Sequence, residues 1–490
     1  MEAVDFLVIG SGSGLDVANV AANRGQSVAV VEKGPLGGTC LNRGCIPSKL
    51  LLYHADVLET IKRADAFHID VGGIDVAFDE IVREVTESVA SSAESIRRGL
   101  RSSSRHELFE GEGRFVDDRT VEIVGGEADG TRVRAETVLI AAGTRPGVPD
   151  IEGIDEVDYL TSTDALTLET PPDHLVIVGG GYIAAELAHF FGTFGSDVTI
   201  VSRRPSLLPV ADEDVAEAFT ERYDDRFTVH TGHEVTAVSA SDGTVHVEAR
   251  PFEYGSDGTN NPDGGHGALD DLHESGERVS ASGDTLLIAA GRVPNTDTLN
   301  LEATGVETGD RGFVETDEYL RTTAEGVWAL GDIVGEYLLK HSANHEARTV
   351  VRNVFGDDLE PVDYSTMPFA VFASPEVAGV GAREETLRES GSEYATNVYR
   401  YRDTARGDAM KADGFVKVIV DLDGTILGCH IIGPDASTLV QEVVVAMTAG
   451  SGSVADIRDS IHIHPALPEV VQRAFSGRFT PSSDTHAHHH

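Results

Sequence analysis

Cysteine is nearly absent from this chain, with three residues in 490. Three thiols cannot hold a secreted scaffold of this length together, so a disulfide-stapled extracellular protein is excluded. Lysine is almost as scarce, six residues beside 32 arginines, and 82 acids outnumber the 38 bases to leave a formal charge of −44. A field of that sign repels nucleic-acid phosphates and acidic lipid, which removes DNA, RNA and membranes as favoured partners. No apolar run approaches the roughly 18 residues of a membrane span. The chain enters a strand-like run at residues 5–9 without the basic and apolar regions of an export signal, so a cytoplasmic location is expected. The acids are dispersed along the chain, and dispersed acid with little lysine reads as a surface adapted to molar salt; an ordinary acidic enzyme is the alternative. At roughly 150 residues per domain the length allows about three domains.

The content that is present begins with a repeat. Residues 6–9 are apolar, a glycine turn follows at Gly10, Gly12 and Gly14, Val17, Val20 and Ala21 mark one helix face, and a second apolar run closes on Glu32. The same order recurs at residues 175–201, with the turn at Gly179 and Gly181 and a helix running to Phe194. Two strand–turn–helix–strand units imply two nucleotide sites. Between them the spacing of Ile81, Val82, Val85, Val89, Ile96 and Leu100 predicts an amphipathic helix, and a strand-rich stretch ends at residues 140–146. Residues 251–276, rich in Gly, Asp, Asn and His, read as an acidic surface insertion. From about residue 361 short strands (369–372, 415–420, 426–432) alternate with helices starting near Ala436 and Val454, a third, α+β unit. Residues 480–490 read as a disordered tail or truncated tag, and zinc binding by its histidines is disfavoured.

The glycine turns carry chemistry because they let backbone approach a pyrophosphate at a helix N-terminus, where unpaired N–H groups and the helix dipole favour negative charge. Glu32, 22 residues after Gly10, is placed to accept hydrogen bonds from a ribose. The first turn departs from G-x-G-x-x-G, since Leu15 stands where the third glycine is expected and Gly14 comes one place early. In the second unit Val201 is followed by Ser202, Arg203 and Arg204 rather than an acid. A small polar residue and two arginines favour a 2′-phosphate, hence NADPH; two solvated arginines are the alternative.

Cys40 and Cys45 lie five apart in GGTCLNRGCIPSK, just after the first unit. In a cytosolic chain a close pair is catalytic or metal-binding, and zinc is disfavoured for want of a second pair. One thiol would attack a disulfide and the other resolve the mixed disulfide. Pro47 and Lys49 open the next helix, whose N-terminus favours a thiolate at Cys45. Cys429, in a buried-strand pattern, reads as core. A departing thiolate needs an acid near neutral pH, and His464, with Glu469 five residues on, supplies one in HIHPALPE.

These motifs, with AAGRVPN at residues 289–295, WALGD at residues 328–332 and SPEVAGVG, resemble in kind and order the pyridine nucleotide–disulfide oxidoreductases over nearly the whole chain. The resemblance implies an α/β fold of two Rossmann-like dinucleotide-binding domains and a C-terminal α+β dimerisation domain. FAD would occupy residues 1–152 and 295–361, NADPH residues 153–294, and the dimer contact residues 362–477, with a tail at 478–490. Implied FAD contacts are Gly10, Gly12, Gly14, Glu32, Gly38, Thr39, Lys49, Gly113, Ala142, Gly143, Gly331 and Asp332. Implied NADPH contacts are Gly179, Gly181, Tyr182, Ile183, Ser202, Arg203, Arg204 and Gly291. Tyr182 resembles the family's aromatic gate and Glu186 the partner of the flavin-facing lysine. The family is homodimeric, with His464 and Glu469 reaching the other subunit's Cys40 and Cys45, and no metal is implied.

Within the family, the C-terminal cysteines of mercuric and large thioredoxin reductases are missing. Dihydrolipoamide dehydrogenases carry an acid where Ser202 stands, and glutathione reductases an arginine near Asn19 and Val20. The shortened first turn and the segment LKHSAN at residues 339–344 resemble mycothione reductases. A salt-adapted composition suits a haloarchaeal cell, whose thiol is γ-glutamylcysteine, so the expected activity is NADPH-dependent reduction of bis-γ-glutamylcystine by analogy. A dihydrolipoamide dehydrogenase subunit and a non-catalytic FAD-binding redox sensor are the alternatives.

Overall fold

The computed structural model describes residues 1–252 and 277–482. Its first sheet has seven strands. Four run parallel in the order His106–Glu110, Val28–Glu32, Glu2–Ile9 and Arg132–Ile140, and Val327–Ala329 joins the last of these in parallel. Phe6, Leu7 and Val8 are buried on both faces, which is why this strand reads as a continuous apolar run rather than an alternation. The Gly14–Asn23 helix packs Val17, Ala18 and Ala21 onto that sheet.

The second unit repeats the plan. Thr228–His230, Asp197–Val201, His174–Val178, Thr285–Ile288 and Leu160–Thr161 form a five-stranded parallel sheet. An antiparallel triplet, His233–Ser241, Thr244–Pro251 and Val279–Gly283, lies beside it. The amphipathic helix expected from apolar spacing is Phe78–Ser102, with Val82, Val85, Val89 and Leu100 buried. Of the expected insertion at 251–276, Pro251 instead closes a strand and residues 253–276 lie outside the described residues.

The C-terminal unit is a six-stranded antiparallel sheet in the order Pro368–Val371, Val377–Gly381, Ile426–Ile432, Phe415–Val420, Ala395–Arg400 and Thr480–Pro481. Helices Ala436–Ala449 and Pro468–Ser476 pack on it. The expected tail therefore starts too early: Thr480 and Pro481 pair with Thr396 and Ala395, because an edge strand leaves its backbone groups open to one more partner. Residues 483–490, with the tail histidines, lie outside the described residues. Cys429 is fully buried in the Ile426–Ile432 strand. No described helix is long and apolar enough to cross a membrane.

A buried ion cluster ties this unit to the second one. Lys417, 2% exposed, reaches Asp212 at 2.7 Å, Asp214 at 2.7 Å and Glu384 at 2.6 Å. Burial alone would raise the Asp212 carboxyl, but His430, Lys417 and the Glu384 backbone N–H hold it below the usual range. Removing one partner of such a cluster strands the others in low dielectric. Lys417→Met is therefore expected to cost about 3–5 kcal/mol in urea unfolding, and adding Asp212→Asn should recover part of that loss.

Candidate active site

Two glycines set the geometry of both nucleotide turns. Gly10 has φ +103°, and a Cβ there would stand 2.2 Å from the carbonyl oxygen of Ala141; Gly179 has φ +128°, and a Cβ there would stand 2.2 Å from that of Ala289. Only glycine allows this approach of turn to neighbouring strand end. The early Gly14 has its own reason. A Cβ on it would meet Val8 Cγ1 at 2.7 Å and Ala141 Cβ at 2.9 Å, so Gly14 is the residue that lets the first helix lie close against the sheet, the task of the third glycine in the longer pattern. Glu32 fixes the turn by accepting from Ser11 N at 2.9 Å, Ser11 Oγ at 2.6 Å and Gly34 N at 2.8 Å.

A cavity of about 1130 Å³ opens from this turn. Among the expected residues Gly10, Gly12, Glu32, Gly38, Thr39, Cys40, Cys45, Lys49, Gly113, Ala142, Gly143, Tyr182, Ile183, Glu186, Gly331 and Asp332 line it. Gly14, Gly179, Gly181, Ser202, Arg203, Arg204 and Gly291 do not. Gly179, Ser202 and Gly291 instead follow the C-terminal ends of three adjacent parallel strands, the crevice where α/β sheets bind ligands. There Ser202 is buried with its Oγ against Gly180, and the Arg203 guanidinium lies 5.4 Å from the Phe252 ring centroid. The first cavity fits FAD by its donor set. A carboxylate stands at one end, a glycine turn before a helix N-terminus follows, and Asp332, whose carboxyl burial raises, accepts from Thr144 Oγ1 at 3.0 Å.

The cysteines sit where two helices meet. Cys40 is on the Gly38–Arg43 helix and Cys45 is the first residue of Cys45–Lys62. Both are free thiols here and line the same cavity. The Cys40 thiol donates to Cys45, which is the main cause lowering Cys45 to about 7; burial opposes this and the Lys49 charge assists. Cys40 is pushed up by the same shared proton and by burial. Lys49 is held by Glu186 at 2.7 and 2.8 Å, and Glu186 also accepts from Phe372 N at 3.0 Å. Tyr182, half-buried directly after Gly181, is pushed up to about 12 by desolvation and stays a neutral phenol.

His464 and Glu469 pair as expected in type but stand elsewhere. His464 Nδ1 lies 3.0 and 3.1 Å from the Glu469 carboxylate, whose pKa that hydrogen bond lowers. Neither residue lines the cavity of its own chain. The His464 side chain is 73% exposed, and its neighbours Ile461 and Ile463 are exposed too. His462 turns inward to Glu442 at 3.0 Å.

Two groups lining the cavity, Arg292 and Lys340, and one buried behind it, Glu346, carried no assignment from sequence. Arg292 Nε donates to Thr144 Oγ1 at 2.7 Å, which orients the hydroxyl onto Asp332. Glu346 accepts from Ser342 and from the N–H of Gly331. Lys340 donates to Ser13 and Asn344. LKHSAN was the signal for Lys340, but its partner Ser13 lies 327 residues away and no periodicity joins them. One further trio among the described residues, Asp56, Glu59 and His189, brings ligand-type atoms within 4.8 Å, and the Arg226 guanidinium 3.8 Å from Glu59 and 3.4 Å from His189 disfavours a cation there.

The shared proton predicts a titration. In the dithiol protein thiolate absorbance should grow in near pH 7, the value held at Cys45. Cys40→Ala removes the donor, and the midpoint should then move up toward the ordinary thiol range of about 8.5.

Comparison with known proteins places this geometry. The pyridine nucleotide-disulphide oxidoreductase model matches residues 4–347, and the dimerisation domain of the same family matches residues 367–475. The chain is 37% identical to mycothione reductase of Mycobacterium tuberculosis, over 97% of this chain and 100% of that protein. It is 34% identical to dihydrolipoyl dehydrogenase 3 of Haloarcula marismortui, over 96% of each. Among solved structures, the Cu(II) complex of the HOCl-induced flavoprotein disulfide reductase RclA from Escherichia coli superposes with TM-score 0.82 at 27% identity, covering 97% of this chain and 99% of that one. Glycine turns, a vicinal cysteine pair and a C-terminal dimerisation unit thus occur together for one reason: the chain belongs to the pyridine nucleotide-disulphide oxidoreductases, enzymes that use FAD and NAD(P)H.

Proposed function

We propose that this protein is an NADPH-dependent reductase of a low-molecular-weight disulfide, bis-γ-glutamylcystine first among them, that keeps the cytoplasm reduced. The observation that carries the reading is the Cys40–Cys45 pair lining one cavity backed by the Lys49–Glu186 ion pair. Gly10, Gly12, Glu32, Thr39, Gly113, Gly143 and Asp332 would hold FAD. Bound there, FAD supplies the two-electron relay between NADPH and the cysteines. Gly179, Gly181, Gly291 and the arginines Arg203 and Arg204 would hold NADPH, with the pair of cations favouring a 2′-phosphate.

The protein's own groups then account for the thiol chemistry. With the pair reduced, His464 takes the proton of Cys40, and the Cys40 thiolate attacks one sulfur of the substrate. The substrate S–S bond breaks, a Cys40–substrate mixed disulfide forms, and the departing thiolate takes the proton from His464. Cys45 thiolate attacks Cys40 Sγ, releases the second substrate thiolate to be protonated by solvent, and restores the Cys40–Cys45 disulfide. Two electrons and two protons yield two thiols. Because His464 is exposed beside exposed Ile461 and Ile463 and does not line the cavity of its own chain, it acts on the cysteines of a second copy in a homodimer.

Purified holoenzyme in molar KCl, given NADPH or NADH with bis-γ-glutamylcystine, mycothiol disulfide, glutathione disulfide and lipoamide, tests the assignment. Fast NADPH oxidation with bis-γ-glutamylcystine is expected. Preference for lipoamide with NADH would overturn it and make the protein a dihydrolipoyl dehydrogenase. Cys40→Ser should abolish turnover while the protein keeps FAD and its reduction by NADPH; turnover at the wild-type rate would overturn the mechanism.

A further inference from the structure

The segment that presents His464 is gripped at one side chain. Ile461, Ile463 and His464 are exposed, and between them His462 turns inward, its side chain 6% exposed. His462 Nε2 lies 3.0 Å from Glu442 Oε2, on the Ala436–Ala449 helix, and Nδ1 lies 3.1 Å from the carbonyl oxygen of Ser460. Gln472, on the Pro468–Ser476 helix, donates to that same oxygen at 3.3 Å. One imidazole thus ties the chain just before His464 to one helix, and the carbonyl it holds is tied to a second.

Hydrogen-bond chemistry says where a proton must be. A carbonyl oxygen only accepts, so His462 Nδ1 carries hydrogen. In a neutral imidazole Nε2 is then a lone pair, and it faces a carboxyl oxygen. That contact attracts only while a proton lies between the two, on the ring or on Glu442. Glu442 favours holding it as a neutral acid. Its Oε1 is buried with no hydrogen-bond partner among the described residues, and burial pushes its carboxyl up. The other ionisable groups nearby do not replace the proton. From the Ile426–Ile432 strand Glu442 meets Cys429, a buried thiol kept neutral by burial and by that carboxyl. From the Pro468–Ser476 helix, Glu469 is engaged by His464 and Arg473. Arg458 and Asp459, just before the segment, pair with each other.

We propose that His462 is a positioning residue for disulfide reduction, forming with Glu442 a proton-held clamp that keeps the segment carrying His464 aimed at the cysteines of a second copy and releases it when the proton is lost. The proposal rests on the two-chain disulfide-reductase reading and adds a pH control to that site. The clamp holds at neutral pH. As pH rises the proton leaves to solvent, a lone pair then opposes a carboxylate, and His464 loses its fixed approach to the sulfur. Reduction of FAD by NADPH does not use His464 and should be blind to this change.

The test measures, on FAD-loaded protein across neutral and alkaline pH, kcat/KM with bis-γ-glutamylcystine or lipoamide, whichever wild type reduces, and separately the rate of FAD reduction by NADPH. His462→Ala and Glu442→Leu should each lose about tenfold or more in kcat/KM at neutral pH while FAD reduction stays at the wild-type rate, which also shows that the fold is intact. Glu442→Gln replaces the acid by an amide N–H that donates to Nε2 without titrating. It should therefore retain turnover where Glu442→Leu loses it, and its alkaline limb should lie at higher pH than that of wild type. Turnover unchanged in both His462→Ala and Glu442→Leu overturns the proposal, as does an alkaline limb in Glu442→Gln that coincides with wild type. Equal losses in Glu442→Gln and Glu442→Leu also overturn it. Infrared difference spectra between neutral and alkaline pH read the proton without turnover: wild type should lose a protonated-carboxyl C=O band that Glu442→Gln lacks. If wild type reduces neither disulfide the functional reading fails, and the absence of that band would then overturn the clamp on its own.

Discussion

The pairing of Cys40 with Cys45 in one cavity governs how this site is charged. Each thiol shifts the other's titration, Cys40 upward and Cys45 downward, so the first thiolate is favoured on Cys45 at the first residue of a helix. The surroundings follow from that choice. Lys49 adds positive charge near Cys45 but is itself anchored by Glu186, which in turn is fixed by the Phe372 backbone. In the proposed mechanism the nucleophile for an incoming disulfide is the neutral Cys40, which needs a base, and the base proposed for it, His464, is exposed and does not line the cavity of its own chain.

A chain of net charge −44 has few cations, and their placement is informative. Lys417 sits in the core among three carboxylates, where it ties the second nucleotide unit to the C-terminal sheet. Lys33, Lys49 and Lys340 all stand in one cavity. Four of six lysines are thus committed to the site or to one inter-unit cluster, and only Lys62 and Lys411 are left to a surface otherwise of acids and arginine. Salt screens exposed charges at this density, but the buried pairs keep their interaction energy.

Much of the architecture could be read from sequence because it depends on local order. Glycine turns after apolar runs, the Cys40–Cys45 spacing and the apolar face of Phe78–Ser102 each lie within one short window. The shortened first turn departs from the longer glycine pattern in sequence and is a matter of packing, since a Cβ on Gly14 would collide with Val8 and Ala141. What escaped sequence reasoning is contact between distant segments. Thr144 meets Asp332 across 188 positions, Lys417 meets Asp212 across 205 and Lys340 meets Ser13 across 327, and none of these pairs leaves a periodic trace. The edge strand Thr480–Pro481 escaped for a related reason, as two residues carry no alternation to detect.

The central claim is that one site is built from two chains, with His464 of one serving Cys40 and Cys45 of the other. Its most direct test is a mixed dimer. Cys40→Ser and His464→Ala proteins, each expected to be nearly inactive alone, are dissociated, combined and allowed to reassociate with FAD. In a mixed dimer the His464→Ala chain contributes an intact cysteine pair and the Cys40→Ser chain an intact histidine, so one complete site forms and disulfide turnover returns. If mixed dimers form and turnover stays at the level of the separate variants, the histidine serves its own chain and the account is wrong.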